Sequence, residues 1–451
     1  MKRILFVDAG DSTHKMLYRY RPLWPGYLAS YIEKHLGEGQ FDFRYSRWNF
    51  HDEIKSYKPD LVAISSVSEF YVDAMECARI AKMHRLPVVM GGIHISSMPH
   101  TLTEDMDVAC IGEGAETFLE LLVHFLEYGR FRFERLDGVR GIIYRKDGKV
   151  VQTPARPNFK ALDDMPHPKR SLTGYQRSDT MLTSRGCPFK CVFCSVTRYW
   201  PEVIYGSADY VIEEIAELID NGAKIIRFYD DLLTINKKRL RSIAEMIVDR
   251  GFQKKVKFAC WVRASTVSPD VVRLLKAMNV VAAYMGLESG CNRTLKYLKG
   301  SGSAEQNLDA VIMLKEAGIQ ANASFIIGAP DETLEEIMET YEFIRTSPLD
   351  AVSVMLLVAY PGTPVWDYAK ERGLVSDDMD WRKLYRVILS EKLSAGEIHG
   401  LMKKFKRLCF KKRLKALPKS PWLADLPKVV TLEIADKLRR WTRPFKDFGQ
   451  Q

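Results

Sequence analysis

Short apolar runs alternate with amphipathic stretches along the first part of the chain. The runs RILFVD, PDLVAISS, PVVMGG and DVACIG are rich in β-forming residues, and segments such as EFYVDAMECARIAKMH place apolar residues at helical spacing. Short strands separated by helices need crossover connections, which make the strands parallel. The pattern therefore predicts an α/β fold that begins with an open, doubly wound, Rossmann-like sheet over residues 1–135.

Glycine-rich or small-residue turns follow the predicted strands of this first sheet. They read DAGDST, SSVSE, GGIHISS and GEGAET. Ligands of doubly wound sheets bind at the carboxyl ends of the strands, which is where these turns fall. We therefore expect the first domain to bind a ligand at this edge.

A second round of alternation follows a linker. In residues 136–178, two alternating runs flank Asp147-Gly148, which predicts a β-hairpin. Residues 179–380 then give six β/α units, among them KIIRFYDD, VVAAYMGLESG and IQANASFIIGAP. Units of this length predict a partial (β/α)6 barrel of the TIM type, with its chemistry at the carboxyl ends of the strands. Residues 381–451 are predicted to form a basic helical tail.

The composition of the chain indicates its cellular compartment and shows that its charge is unevenly distributed. The chain has 451 residues, 46% of them apolar, and shows neither a signal peptide nor a long uninterrupted apolar run, so we expect a cytoplasmic protein with reduced cysteines. The net charge of +10 is concentrated at the end of the sequence. Residues 401–451 hold 15 Lys and Arg against 4 Asp and Glu, which leaves the preceding residues nearly neutral.

Three of the eight cysteines are crowded into the segment SRGCPFKCVFCSV, at Cys187, Cys191 and Cys194. A structural zinc site usually takes four ligands from two paired knuckles, and no second knuckle follows. Three thiolates in one loop suit three irons of a [4Fe-4S] cluster, with the fourth iron open to a small ligand. A purely structural zinc site is the alternative reading.

The spacing C-x3-C-x-aromatic-C, with Phe193 as the aromatic residue, resembles the cluster loop of the radical S-adenosylmethionine superfamily. Further matches to that superfamily follow in order: FYDD, WVRAS, GLESG, IIGAPDET and YPGTP. The resemblance implies that the open iron chelates S-adenosylmethionine and that an electron from the cluster cleaves it to a 5′-deoxyadenosyl radical. It also implies a reducing partner such as flavodoxin or ferredoxin.

The same resemblance implies roles for other residues of the second domain. Asp230 and Asp231 occupy the place where the family binds the amino group of S-adenosylmethionine, although the usual Gly-Gly-Glu is absent. Arg263 is expected at the carboxylate and Glu288 at the ribose, with a plain ion pair as the alternative for both. The residues expected against the adenine lie between Ile326 and Pro330 and include Gly328. Ser184 and Arg185 are expected to orient the cysteine loop.

The preceding doubly wound domain resembles that of the cobalamin-binding branch of the superfamily. A histidine signature of the type Asp-x-His-x-x-Gly is missing, which permits a cobalt with no protein imidazole below it and leaves its lower ligand open. The residues expected to line the nucleotide tail and corrin edge come from three turns of the first sheet: Ser65, Ser66, Gly91, Gly92, His94, Gly112 and Glu113. A turn histidine satisfied by the backbone is the alternative for His94.

Three functions remain open from the sequence. The first is cobalamin-dependent methylation of an unactivated carbon, and the second is radical cyclisation, oxidation or carbon–carbon coupling of a hydrophobic substrate. The third is a non-enzymatic iron–sulfur protein whose basic tail binds nucleic acid, which is disfavoured because no nucleic-acid-binding module accompanies the charge. The tail mixes basic and apolar residues, which is typical of a helix on an anionic membrane and of a lipid-like substrate. In the alternative, Phe405, Leu408, Leu414 and Leu417 pack back on the barrel.

Overall fold

The computed structural model of the protein describes residues 1–10, 21–47 and 49–419. Within these residues, two sheets account for most of the strands, the first mainly parallel and the second wholly parallel, each with its own buried core. The α/β class with parallel sheets agrees with the sequence prediction. In the described residues no helix has the length and hydropathy needed to cross a bilayer.

The first sheet contains seven strands in the order β2-β1-β3-β4-β5-β6-β7 among the described residues. Its strands and helices are β1 (Lys2–Asp8), α1 (Trp24–Leu36), β2 (Phe41–Ser46), α2 (Phe50–Tyr57), β3 (Leu61–Ser65), α3 (Tyr71–Met83), β4 (Val88–Gly91), α4 (Ile93–Ser97), β5 (Val108–Cys110), α5 (Ala115–Tyr128), β6 (Ile142–Lys146) and β7 (Lys149–Gln152). Strands β1 to β5 are parallel, so their carboxyl ends share one edge.

The β6–β7 hairpin extends the first sheet instead of forming a separate linker. β6 pairs with β5 in antiparallel register, and β7 pairs with β6. Asp147 and Gly148 both have positive φ, 52° and 75°, as the two central residues of a tight hairpin turn require. The predicted hairpin is therefore present, but its apolar residues Ile142 and Ile143 are buried against the first domain.

The second sheet contains six parallel strands in the order β15-β14-β13-β12-β11-β8. The elements of this region are β8 (Ser178–Met181), β9 (Ser184–Arg185), α6 (Val196–Tyr199), β10 (Ile204–Tyr205), α7 (Ala208–Asp220), β11 (Ile225–Phe228), α8 (Lys237–Asp249), β12 (Lys257–Val262), α9 (Pro269–Ala277), β13 (Val280–Glu288), α10 (Asn292–Lys299), α11 (Ala304–Glu316), β14 (Gln320–Ile327), α12 (Leu334–Thr346), β15 (Ala351–Leu356), α13 (Pro364–Glu371) and α14 (Ala395–Ala416). Strands β9 and β10 form a short antiparallel ribbon.

Helix caps mark where the crossover helices of the second sheet begin. Ser207, Ser268 and Ser303 each accept a hydrogen bond from a backbone N–H of the following helix, α7, α9 and α11 respectively. Thr333 and Glu336 form a capping box at the start of α12. These side chains satisfy N–H groups that have no partner inside the helix, so each helix starts at a defined residue after its strand.

The long helix α14 packs on the edge strand β15. Its residues Ile398, Leu401, Phe405 and Leu408 are buried in the core of the second sheet, whereas Leu414 is 51% exposed. The packing alternative therefore holds for Phe405 and Leu408, does not hold for the exposed Leu414, and holds only in part for Leu417, which is half-buried. Residues 420–451, which carry much of the predicted basic tail, lie outside the described residues.

Candidate functional site

The three cysteines of the triplet lie in one loop, directly after β8 and β9 at the carboxyl edge of the second sheet. The thiols of Cys187, Cys191 and Cys194 are free and partly exposed. The backbone N–H of Val192 donates to the carbonyl of Leu298 at 3.0 Å, which ties the loop to the end of α10. The loop is thus held by its backbone while its thiols remain available as ligands.

The three thiols come from one loop, as the ligands of a [4Fe-4S] cluster do. In the described ranges, no three His, Cys, Asp or Glu side chains converge closely enough to hold one metal ion. A [4Fe-4S] cluster does not need that convergence, because each thiolate binds a different iron. Burial raises the pKa of Cys194 to about 11, so its thiolate needs a cationic partner such as iron.

Arg263 follows β12 and approaches the cysteine loop directly. Its Nη1 lies 3.5 Å from the Sγ of Cys191, and its guanidinium carbon lies 3.9 Å from the centre of the Phe189 ring. Its Nη2 donates to the hydroxyl of Ser301 at 3.1 Å. The guanidinium is therefore fixed between the loop and the end of α10, with its charge beside the thiols.

Glu288 ends β13 in a buried and strained position. Its φ is 67°, a left-handed conformation that is uncommon for a residue other than glycine. Burial raises the pKa of Glu288 to about 7, and the charges of Lys299 and Arg263 oppose that rise. The Nζ of Lys299 donates to the carbonyl of Gly286 at 2.5 Å. The three side chains form one buried charged group next to the cysteine loop.

The two aspartates after β11 have different surroundings. Asp230 accepts hydrogen bonds from the N–H and hydroxyl of Thr183, at 2.7 and 2.5 Å, and from the hydroxyl of Ser184 at 2.6 Å. Asp231 accepts one bond, from the N–H of Gly186 at 3.0 Å, and borders an open cavity. Asp230 therefore holds the start of the loop, while Asp231 retains an oxygen for a ligand.

The residues expected near adenine lie at the carboxyl end of β14. Gly328 has a φ of 84°, and its N–H donates to the Oε2 of Glu332 at 2.7 Å. Ile326 is buried, and Phe193 of the cysteine loop packs against the same core cluster. Pro330 follows at the turn, where its carbonyl accepts from the N–H of Glu391. The backbone of this turn is thus held by a hydrogen bond to the buried carboxyl group of Glu332.

A cavity of about 410 Å³ separates the carboxyl edges of the two sheets. Its wall on the first sheet includes five of the predicted residues, namely Ser65, Gly91, Gly92, Gly112 and Glu113. Its wall on the second sheet includes Ser184, Arg185, Tyr199, Trp200, Tyr229 and Asp231. Arg185 also forms an ion pair with Glu113, so one buried pair joins the two walls.

His94 and Ser66 do not border this cavity. His94 lies in α4 with its Nδ1 3.0 Å from the Ser68 hydroxyl and its Nε2 3.3 Å from the Thr101 hydroxyl. Its ring stacks on Tyr71 with 3.8 Å between centroids, and burial lowers its pKa to about 3. Ser66 donates to the carbonyl of Val67. The structure thus places both side chains in the interior of the first domain.

Comparisons with known proteins match these two sites separately. The family model described as the radical SAM superfamily matches residues 181–344, and the B12 binding domain model matches residues 17–122. An uncharacterized methyltransferase, PH0819, from Pyrococcus horikoshii is 34% identical over 402 residues, which cover 85% of this chain and 86% of the relative. The chain belongs to the radical SAM superfamily and carries a B12-binding domain.

Two further similarities describe the range of this family. The anaerobic magnesium-protoporphyrin IX monomethyl ester cyclase of Cereibacter sphaeroides is 26% identical over 93% of this chain and 72% of its own length. The structure of the radical S-adenosylmethionine methyltransferase TsrM from Kitasatospora setae superposes with a TM-score of 0.68 at 18% identity, over 82% of this chain and 76% of that one. That likeness concerns the fold.

The cavity of this radical SAM protein has features that fit a cobalamin. The Nε1 of Trp200, a residue of the cavity wall, is buried and has no hydrogen-bond partner among the described residues. A Cβ added at Gly112 or Gly114 would meet nothing within 4 Å, so the backbone of this turn is open to a bulky ligand. A donor without a partner and bare backbone are both what a large group with polar edges requires.

Sequence reasoning missed several residues of the site. Lys299 joins the charged group from α10, and Tyr27, Tyr199 and Trp200 belong to the cavity wall. Tyr199 and Trp200 come directly after the cysteine loop, so their position in the sequence could have predicted that they lie near the site. The position of Lys299 in the sequence could not have predicted its role, because the residues it contacts lie on β12 and β13, which are distant from it in the sequence.

Proposed function

We propose that this radical SAM protein methylates an unactivated carbon of its substrate in a cobalamin-dependent reaction. The observation that carries the proposal is a shared wall. Asp231 accepts from the N–H of Gly186 in the cysteine loop and also borders the cavity of the B12-binding domain. A substrate placed there would lie between the two cofactor sites.

In this proposal the side chains of the second sheet hold the cluster and S-adenosylmethionine. Cys187, Cys191 and Cys194 ligate three irons. Asp231 binds the amino group of S-adenosylmethionine, because Asp230 is already occupied by Thr183 and Ser184. When bound, the cluster supplies the electron that cleaves S-adenosylmethionine to a radical, and cobalamin supplies the methyl group.

The remaining residues orient the cofactor. Arg263 and Lys299 place positive charge where the carboxylate of S-adenosylmethionine is expected, and Glu288 accepts from the ribose hydroxyls. Ile326 and the turn from Gly328 to Pro330 pack against the adenine. Burial keeps part of Glu288 protonated near neutral pH, since its pKa is about 7.

The first sheet is proposed to hold cobalamin through backbone and shape. Ser65, Gly91 and Gly92 approach it from β3 and β4, and Gly112 and Glu113 from the turn after β5. His94 is excluded from this set because both of its ring nitrogens are occupied inside the domain.

The second sheet is further proposed to curve as a partial (β/α)6 barrel, with residues from α14 onward covering its edge strand. Radical SAM enzymes need a reductant such as flavodoxin or ferredoxin. The exposed basic residues of α14 and the sequence after it are proposed to contact an anionic membrane from the cytoplasmic side, which suits a hydrophobic substrate.

Membrane contact is tested by co-sedimentation with anionic liposomes. The full chain is compared with one that ends at Lys419, because a cut at Gly400 would remove most of α14 and uncover β15. Salt-sensitive binding that is lost on truncation supports the contact. Equal partitioning of the two chains rejects a contact made by residues 420–451, and a lack of salt-sensitive binding by the full chain rejects the contact altogether.

Methyl transfer is tested with anaerobically reconstituted protein, a reductant and S-adenosylmethionine that carries a deuterated methyl group. Small-molecule extracts serve as the source of substrate, and mass spectrometry searches for a compound that has gained the labelled methyl. Such a product, formed together with 5′-deoxyadenosine, supports methylation. A product that has lost hydrogens without gaining the label supports the cyclisation or oxidation alternative, which the similarity to the cyclase favours.

A further inference from the structure

The cysteine loop has an inner and an outer side. Phe189 and Phe193 are half-buried on the inner side, where Phe189 lies against the guanidinium of Arg263 and Phe193 packs against a buried core cluster. Pro188 and Lys190, on either side of Phe189 in the sequence, are exposed instead. The loop thus turns one side to the interior of the protein and the other to solvent.

The exposed residues of the loop are the direct neighbours of iron ligands. Pro188 follows Cys187, and Lys190 precedes Cys191. Consecutive Cα atoms are about 3.8 Å apart, so a cluster held by these thiols lies close to exposed chain. An electron that enters from the outer side crosses little protein, whereas an approach from the inner side would have to pass the proposed cofactor and substrate sites.

Val192 joins this part of the loop to helices α10 and α13. Its N–H donates to the carbonyl of Leu298 at 3.0 Å, and its carbonyl accepts from the N–H of Val365 at 3.3 Å. Lys190 lies two positions before Val192, and Lys296 lies two positions before Leu298. The exposed side of α10 therefore continues the exposed side of the loop.

Two lysines and a tyrosine give this surface its chemistry. Lys190 and Lys296 are exposed, and within the described ranges neither side chain has an ion-pair or hydrogen-bond partner. Tyr297, next to Lys296, is 40% exposed. We call Pro188, Lys190, Lys296 and Tyr297 the loop surface. An exposed apolar ring with charged side chains around it is typical of a transient protein interface.

Two acidic side chains near the loop surface each have a cation close by. Asp367 pairs with Arg198 at 3.6 Å. The carbonyl of Asp331 accepts from the Nη2 of Arg293 at 2.5 Å, which brings a guanidinium to the same turn. Lys190 and Lys296 have no such acidic partner, so the positive charge of the loop surface remains available to a molecule that docks there.

These observations together define a class of partner. A one-electron carrier that docks on a positive surface needs negative charge around its redox group, and flavodoxins are acidic proteins of this kind. Redox encounters bury less than about 1,200 Å² in total, so a small surface suffices. We propose that the loop surface is the docking site of an acidic flavodoxin that reduces the cluster. The proposal rests on the cluster and not on methyl transfer.

The docked pair exchanges a single electron. The flavin of the partner passes from its hydroquinone anion to the neutral, one-electron-oxidised form, and the cluster gains that electron. No bond forms or breaks between the two proteins. Lys190 and Lys296 have a positioning role in this step, because they orient the partner and take no part in the chemistry.

The test measures the affinity of the protein, loaded with cluster and cobalamin, for a purified bacterial flavodoxin under anaerobic conditions. The double variant Lys190→Glu/Lys296→Glu turns like charges toward the acidic partner. We expect its dissociation constant to rise at least about tenfold at low ionic strength, and the difference to shrink as salt is added. Lys190→Arg/Lys296→Arg keeps both charges and should retain the affinity within about threefold.

A matched double reversal changes the net charge by the same amount elsewhere. Lys224 and Lys254 are exposed and come just before β11 and β12, so they lie at the opposite edge of the second sheet. Lys224→Glu/Lys254→Glu should bind flavodoxin as the unmodified protein does. An equal loss in both double reversals would mean that only net charge matters and overturns the inference, and so does unchanged affinity of Lys190→Glu/Lys296→Glu.

A second readout separates docking from the state of the cluster. Reduction of the cluster by flavodoxin hydroquinone, followed by absorption, should slow in Lys190→Glu/Lys296→Glu, while iron content and the fraction reduced by excess dithionite should stay the same. If that variant loses iron, Lys296→Glu alone decides the question, because it lies farther from the ligands and should weaken binding by about threefold.

The unmodified protein distinguishes failure of the docking site from failure of the proposed function. Absence of flavodoxin binding by the unmodified protein overturns the inference. Absence of 5′-deoxyadenosine formation with dithionite counts against the proposed function instead, because dithionite reduces the cluster without a docked protein.

Discussion

The two sheets meet at one cavity but present different kinds of carboxyl edge to it. The first edge consists of small residues and bare backbone, with Gly91, Gly112 and Gly114 on the cavity wall. The second edge presents reactive side chains, with the cysteine loop, Asp231 and the buried charges around Glu288. An edge of glycines accommodates a large rigid group through shape, whereas an edge of thiols and charges binds through ligation and ion pairing.

The largest effect is expected from removing the three iron ligands of the second edge while the first edge is left unchanged. Replacing Cys187, Cys191 and Cys194 together by Ala should abolish bound iron, the visible absorption of the cluster and all S-adenosylmethionine cleavage, because no thiolate remains for the irons. Cobalamin binding should persist, since the first edge is unchanged. Iron analysis, absorption spectra and hydroxocobalamin titration measure the three properties.

The control for this experiment is a cysteine away from the loop. Cys77→Ala, in α3, and Cys409→Ala, in α14, should retain iron and cleavage. If the triple variant kept its iron, the cluster assignment would be wrong. If it lost cobalamin as well, the two edges would not be independent.

The next largest effect is expected from filling the cavity at the first edge with a larger side chain. Gly114→Leu should weaken hydroxocobalamin binding by about a hundredfold, because overpacking costs about 1–3 kcal/mol and this side chain would enter the cavity. Gly114 is suitable because its φ of −92° suits any residue. Gly92 is not, because its Cβ would lie 2.4 Å from the carbonyl oxygen of Ser66.

A matched control distinguishes the effect of a side chain that enters the cavity from the effect of replacing a glycine as such. Gly138→Leu adds the same side chain where nothing lies within 4 Å, outside the cavity. It should leave cobalamin binding unchanged, and both variants should keep their iron. Normal cobalamin binding by Gly114→Leu would show that the corrin does not use this cavity.

Sequence pattern predicted the strands of both sheets, because apolar runs and amphipathic helices are local signals. The cysteine loop was equally local, since its three thiols lie within eight positions. The hairpin around Asp147 was also found, but its place on the edge of β5 depends on buried contacts of Ile142 and Ile143 that periodicity does not show.

Side-chain roles were harder to predict where the neighbours are distant in sequence. His94 follows a glycine turn and was expected near the corrin, but its ring packs against Trp381, almost three hundred residues later. Asp230 and Asp231 are adjacent and look equivalent in the sequence. Only the folded β8–β9 connection shows that Thr183 and Ser184 occupy one of them.

A moderate effect on stability is expected from breaking the ion pair that joins the two edges. Glu113→Gln should lower the free energy of unfolding by about 2 kcal/mol, because it leaves the Arg185 guanidinium without its partner in a mostly buried position. The value is below that of a fully buried pair because both side chains keep some exposure. Urea denaturation of the apoprotein measures it.

An exposed pair supplies the control for the joined edges. Glu76→Gln removes a partner from Arg79 on α3, where both side chains are about half exposed, so the change should stay below about 0.5 kcal/mol. Similar values for the two variants would mean that the Glu113–Arg185 pair adds no stability across the cavity.

The last comparison concerns how stability responds to pH through one buried group from each region. The pKa of Glu288 is about 7 in the folded protein and 4.5 by its ordinary value, so the folded state binds more protons between those limits. Its contribution to stability is therefore present at low pH and is lost as pH rises toward 7. The pKa of His94 is about 3 against 6.5, so its contribution is lost as pH falls below 6.5.

Glu288→Gln cannot ionise, so between about pH 5 and about pH 8 the free energy of unfolding of this variant should fall less steeply than that of the wild type, by about 2 kcal/mol. His94→Gln should instead remove part of the loss of stability below about pH 6. Urea denaturation of the apoproteins across this range measures both slopes, and other titrating groups cancel in each comparison with the wild type. Parallel pH profiles for wild type and Glu288→Gln would mean that Glu288 is ionised throughout, held by Lys299 and Arg263, and the second edge would then carry its full set of charges at every pH tested.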